Sequence, residues 1–104
     1  MSSGRSTSKK SKAVTIVLGE RLDAGSAGDL RQALLQALDR QQDVILSGDK
    51  VSQVSTPAVQ VILAAARSLE GAGLSFSMQV PSPALSRAFA DLGLAAEFQN
   101  WAPS

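Results

Sequence analysis

The sequence predicts an α/β domain: a small, mainly parallel β-sheet with alternating strands and helices, the helices packed on the sheet. Three observations predict it. Short runs rich in β-branched or alternating apolar residues take turns with longer segments whose apolar residues recur at spacings of three and four. The helical segments open at serine or proline, and two of them stop at glycine. The chain has 104 residues, which is one domain's worth. Strands separated by helices need crossover connections, which favour parallel pairing of right-handed sense.

Ala13–Leu18, AVTIVL, reads as a buried first strand, and Gly19–Gly25 as a turn region. Ser26 is then the expected cap of a helix running through AGDLRQALLQALDR. Ala27, Leu30, Ala33, Leu34, Ala37 and Leu38 form its apolar face, and Asp29 lies near the positive end of its dipole. Asp43–Ser47, DVILS, is the next strand. Gly48-Asp49-Lys50 turns the chain, and Val51 and Val54 lead back to the core. A second helix runs from Thr56 or Pro57 to Leu69, burying Val59, Ile62, Leu63, Ala66 and Leu69, with Gly71-Ala72-Gly73 as its stop.

Leu74–Val80 alternates Leu74, Phe76, Met78 and Val80 against polar residues, the period of a strand with one covered face. Ser82 is the expected cap of a third helix with Pro83 in its first turn. Leu85, Ala88, Phe89 and Leu92 would face inward, and Gly93 ends the helix. Leu94–Trp101 is expected as a last short strand or turn, with Trp101 closing a core edge.

Composition narrows the function. There is no cysteine and no histidine, so thiol chemistry is excluded and the commonest neutral-pH base and zinc ligand are missing. No carboxylate pair, metal-ligand cluster or phosphate-cradling glycine loop is visible. Asp23, Asp49 and Lys50 are the groups an enzyme would have near strand ends, and they do not form a recognisable catalytic set. The expectation is a non-enzyme with no cofactor and no metal. Four of the ten Lys/Arg residues (Arg5, Lys9, Lys10, Lys12) lie in the first twelve, leaving six against nine carboxylates, a balance of −3 from Ala13 onward. The basic character belongs to the tail, which argues against a nucleic-acid face on the body. Residues 1–12, with no apolar side chain after Met1, are expected to be a disordered basic tail, and 13–104 the folded domain. No apolar run approaches the ~20 residues of a membrane span, so no membrane insertion and a cytoplasmic location are expected. The oligomeric state is not legible.

The stretch that draws attention is QVSTPAVQVILAAA, residues 53–66. Ser55-Thr56-Pro57 stands where a helix begins. A hydroxyl there can accept an orphan backbone N–H, and proline tolerates the first turn. The same place tolerates a phosphate, because the helix N-terminus stabilises an anion. A helix cap and a modification site are therefore both compatible with these residues.

Three stretches in order resemble the STAS family, the domain of bacterial anti-sigma factor antagonists and sulfate transporter tails. LDAGSAGDL (22–30) is similar to its "LD…TA…L" segment. VSQVSTPAVQVILAAARSLEGAG (51–73) is similar to its "V…(I/V)D(S/T)xGLxxLL…GG" signature. PSPALSRAFADLGLAAEF (81–98) is similar to its "SPxLxxxLxxxGL" segment. The resemblance covers about residues 14–101. It implies a protein–protein interaction module of a bacterial signalling pathway, with Thr56 as phosphoacceptor and Ser55 as a second candidate. The implied partner is an anti-sigma factor or serine kinase. The alternative is a constitutive adaptor subunit of a chemotaxis complex or of a lipid-transport ABC system. The expected partner-binding face comprises Asp23, Ser52, Gln53, Ser55, Thr56, Pro57, Ala58 and Gln60. Ser55 stands where the signature carries Asp, Ala58 where it carries Gly, and Pro57 where a small or hydroxyl residue is usual.

Overall fold

The structure, a computed structural model, describes residues 13–102. The elements run β1 (Ala13–Val17), β2 (Arg21–Leu22), α1 (Ala24–Asp39), β3 (Asp43–Ser47), β4 (Gln53–Val54), α2 (Thr56–Gly71), β5 (Phe76–Gln79), α3 (Pro83–Asp91) and α4 (Ala95–Trp101). β1, β3 and β5 form a parallel three-stranded sheet with β3 in the middle, and β2 pairs with β4 in a parallel two-stranded ladder. The α/β class and the parallel sheet are as the residues predict. The basic tail assigned to residues 1–12 lies outside the described residues.

Register decides what is buried. Val14, Val44 and Phe76 lie in one row across the sheet, and Ile16, Leu46 and Met78 in the next. Paired residues of parallel strands share a face, and this face receives the helices. Val44 and Leu46 on the central strand are 0% exposed. The alternate row Thr15, Ile45 and Ser77 points to the other side, and Val17 there is 63% exposed. β1 is therefore half-buried rather than fully buried as expected. It is an outer strand covered on one face, so only every second side chain enters the core.

The helices complete that core with Leu30 and Leu34 of α1, Val59, Ile62 and Leu69 of α2, and Leu85 and Phe89 of α3. Each such side chain contributes about 1.5–3 kcal/mol on leaving water. Gly48, just past β3, is buried against α3: a Cβ there would come 2.6 Å from Leu85 Cδ2. Leu63 is only half-buried, at the margin of the α2 stripe.

α2 and α3 end in the same device. The Leu74 N–H donates to the Leu69 carbonyl and that of Gly73 to Glu70. In α3 the Leu94 N–H donates to Phe89 and that of Gly93 to Ala90. Gly73 and Gly93 sit at φ 80 and 76, the left-handed region this exit requires. The reversal at Gly93 corrects the reading of Leu92. That residue is 45% exposed at the end of α3, while Leu94, folded back over Phe89 by the exit, packs on the core instead. α1 exits by the same bonds, Gln42 to Ala37 and Gln41 to Leu38, with Gln41 at φ 56.

Leu94–Trp101 is helical over Ala95–Trp101 rather than a strand or turn. Phe98 and Trp101, three apart, share a helical face and meet aromatic partners from elsewhere in the chain. The Trp101 ring stands edge-on to Phe76 and Phe89 at 5.2 and 5.6 Å, and Phe98 lies 4.9 Å from Phe89. Trp101 does close a core edge, at 4% exposure. No described helix is long and apolar enough to cross a membrane.

Candidate functional site: two helix entries joined by a short ladder

The two-residue ladder sets the geometry. Arg21 pairs with Gln53 and Leu22 with Val54, so the residues that follow emerge side by side. The Ser55 N–H donates to the Leu22 carbonyl at 2.8 Å, which fixes Ser55 next to Asp23. The ladder is anchored at its start by Glu20, whose carbonyl accepts from the N–H groups of Ser52 and Gln53 and from the Ser52 hydroxyl. One strand end leads into α1 and the other into α2.

Asp23 caps α1: its carboxylate accepts the Ser26 N–H at 2.9 Å. Ser26, expected as the cap, is instead the donor inside the first turn. The ladder holds Leu22 against Val54, so the chain is already committed to turn at Asp23, three residues earlier. The bond from the Ser26 backbone, then the Ser26 hydroxyl, hold the Asp23 carboxyl below its ordinary value. Burial opposes them to a smaller extent than the two Ser26 bonds, and the Gly25 N–H and the nearby Arg21 charge add still smaller lowering effects.

Ser55 caps α2. Its backbone is extended, and its hydroxyl accepts the Ala58 N–H at 3.3 Å. Thr56 is therefore the first helical residue and not the cap. Its side chain is exposed, and among the described residues its hydroxyl has no hydrogen-bond partner. One hydroxyl serves the helix and the next is left facing solvent. Ala58, expected on the exposed contact face, is 0% exposed. It is the third residue of the helix, and the turn of α2 carries it into the core while Pro57 and Gln60 stay outside.

The structure thus brings together Asp23, Ser52, Gln53, Ser55, Thr56, Pro57 and Gln60 at one end of the molecule and removes Ala58 from its surface. A hollow of about 190 Å³ lies between Asp23, Arg21, Gln53 and Ser55. A second, of about 350 Å³, runs from Ser52, Ser55 and Thr56 to Arg87 and Asp91 on α3, with Leu92 just past its end. Those α3 residues were not found from sequence. Arg87 and Asp91, four apart, mark an outward polar face, but nothing local says that this face meets the start of α2. Asp49 and Lys50 line neither hollow. No grouping of metal-ligating side chains occurs among the described residues.

A small parallel sheet with helices packed on it, and an exposed hydroxyl at the first residue of α2, is compatible with a STAS domain. The family model described as "Mlab, STAS domain" matches residues 6–99, and the chain belongs to that family. Among solved structures it is similar to the anti-sigma factor antagonist SpoIIAA in its unphosphorylated form. That match has 22% identity and a TM-score of 0.72, covering 88% of this chain and 77% of the other. It is also similar to the Bacillus cell fate determinant SpoIIAA in the phosphorylated form, at 22% identity and TM-score 0.70, covering 88% and 80%. At that identity the likeness is one of fold. No curated protein sequence matches the chain.

Proposed function

We propose that this chain is a protein-binding module of a partner-switching pathway, and that phosphorylation of Thr56 is its switch. The observation that carries the reading is the division of labour at the α2 entry: Ser55 makes the cap, and the exposed Thr56 hydroxyl makes no bond among the described residues. A phosphate on Thr56 would add close to two negative charges beside the positive pole of α2 without removing the cap. The fold would stand while the potential of the surface formed by Asp23, Ser52, Gln53, Pro57 and Gln60 changed. Ser55 suits the role less, because its hydroxyl is half-buried and already engaged. SpoIIAA, whose fold this is, has a phosphorylated form. The partner would be an anti-sigma factor or serine kinase, and the site of action the cytoplasm.

The test is capture of partners from the protein's own cells with the wild-type chain and with Thr56→Glu, alongside mass spectrometry of Thr56. Phosphate on Thr56 in a partner-free fraction, and loss of the captured kinase by Thr56→Glu, is the expected result. The melting temperature should stay within a few degrees, since the substitution is at an exposed residue. Retention of the same partner by Thr56→Glu overturns the switch.

A second reading is a constitutive adaptor in a chemotaxis or lipid-transport assembly, favoured by Ser55, Pro57 and Ala58 standing in place of the signature residues. There Thr56 is a contact and stays unmodified. Because the cap is Ser55, Thr56→Ala should lower stability by less than about 0.5 kcal/mol, while binding falls in a graded way.

A further inference from the structure

A further hollow lies away from the hydroxyl pair. It is a trough of about 430 Å³ between α1 and α2, on the outer side of the helix layer. Leu35, Leu38, Val61, Ala64 and Ala65 form its walls and floor, and Leu35 is 44% exposed. Arg31 is the charged residue in its lining, which contains no carboxylate. Arg31 is the first lining residue along α1, Pro57 and Gln60 are the first along α2, and Ser68 lies near the end of α2.

We propose that this trough is a docking groove for an amphipathic helix of another protein, one that carries an acidic residue opposite Arg31. Shape, length and charge argue for that occupant. The trough is open along one side, and its lining runs from Arg31 to Leu38 on α1 and from Pro57 to Leu69 on α2, about 10 and 18 Å of helical rise. An enclosed cavity would suit a small ligand, which needs most of its surface covered. A furrow between two helices presents what a third helix fills, with apolar anchors spaced three and four apart. Ala64 and Ala65 let a backbone come close.

Charge then separates the candidates for that helix. The chain's own first twelve residues hold four cations and no acid, and lack apolar residues beyond Met1, so they match neither the walls nor Arg31. A second copy docked groove to groove would set each Arg31 against a lining that holds no carboxylate, so neither arginine would gain a partner. A foreign helix with an apolar stripe and one carboxylate satisfies both features. The trough shares Pro57 and Gln60 with the surface around Thr56, but Thr56 does not line it, and it does not require Thr56 to be modified.

The test is selection from a displayed library of helical peptides, about four turns long, against the folded full chain, with re-binding to variants. The proposal expects selected peptides to share apolar residues at spacings of three and four plus a carboxylate. Leu35→Asp should weaken them about tenfold or more, and Arg31→Glu should reverse the preference from acidic to basic peptides. Both residues are exposed, so the melting temperature of each variant should match wild type. Thr56→Glu should leave these peptides bound. Peptides indifferent to Leu35→Asp, or lost with Thr56→Glu instead, overturn the groove. So does self-association in sedimentation that Leu35→Asp abolishes, which would make the occupant a second copy.

Discussion

The entries of α2 and α3 use the same chemistry to different ends. Each begins with a serine in extended backbone whose hydroxyl accepts the N–H three residues on, and each has proline in the first turn. At α3 the serine is Ser82. It is 6% exposed, its bond to the Leu85 N–H is 3.1 Å, and its own N–H donates to the Gly48 carbonyl. At α2 the serine is half-buried, its bond is 3.3 Å, and an exposed threonine follows. The α3 entry is sealed between β3 and β5. The α2 entry is at the surface, with a hydroxyl to spare. A cap is a structural need wherever a helix starts, and only the unneeded hydroxyl beside it is available to carry a signal.

The comparison can be broken most forcefully at Thr56. Thr56→Glu should abolish partner binding with little change in melting temperature, whereas a charge at the sealed entry would act on the fold first. Next comes Ser82→Ala. It leaves the Leu85 N–H unsatisfied in a buried place, so the loss should reach the upper part of the capping range, about 2 kcal/mol in urea unfolding. Ser55→Ala removes a longer bond nearer to water, and about 0.5–1 kcal/mol is expected from the same measurement. Equal losses at the two serines would show that burial does not distinguish them.

The smallest effect concerns the third capped entry, Asp23 at α1. Its folded carboxyl is held below the ordinary value by the Ser26 N–H, so it favours the folded state above the ordinary carboxylate range. That contribution fades as pH falls through the depressed value. Asp23→Asn keeps a good cap but cannot titrate. The variant's stability relative to wild type should therefore improve in acid, read from denaturation curves at neutral and acidic pH. An unchanged difference between the two would remove Asp23 from the acid response.

Ser82, Pro83, Gly73 and Gly93 were legible because each acts on its own neighbours: a cap, a fixed φ, a left-handed exit. The α/β order was legible because periodicity is local too. What failed depended on distant partners. Asp-Ala-Gly-Ser offers two caps, and the pairing of Leu22 with Val54, thirty-two residues on, selects Asp23. Phe98 and Trp101 become helical neighbours because Phe76 and Phe89 wait for them. At the candidate site the hydroxyl pair was found, but not which hydroxyl caps. The inward turn of Ala58 and the contribution of α3 depend on helix phase and layer packing, which these short stretches do not encode.

Trp101 has an optical consequence. The chain contains one tryptophan and no tyrosine, so its near-ultraviolet emission comes from a single indole. That indole is walled by Phe76 and Phe89 and lines neither hollow at the helix entries. Its colour should shift when α4 leaves the sheet and stay steady when something binds beside Thr56. The protein therefore carries a built-in gauge that separates loss of structure from loss of a partner.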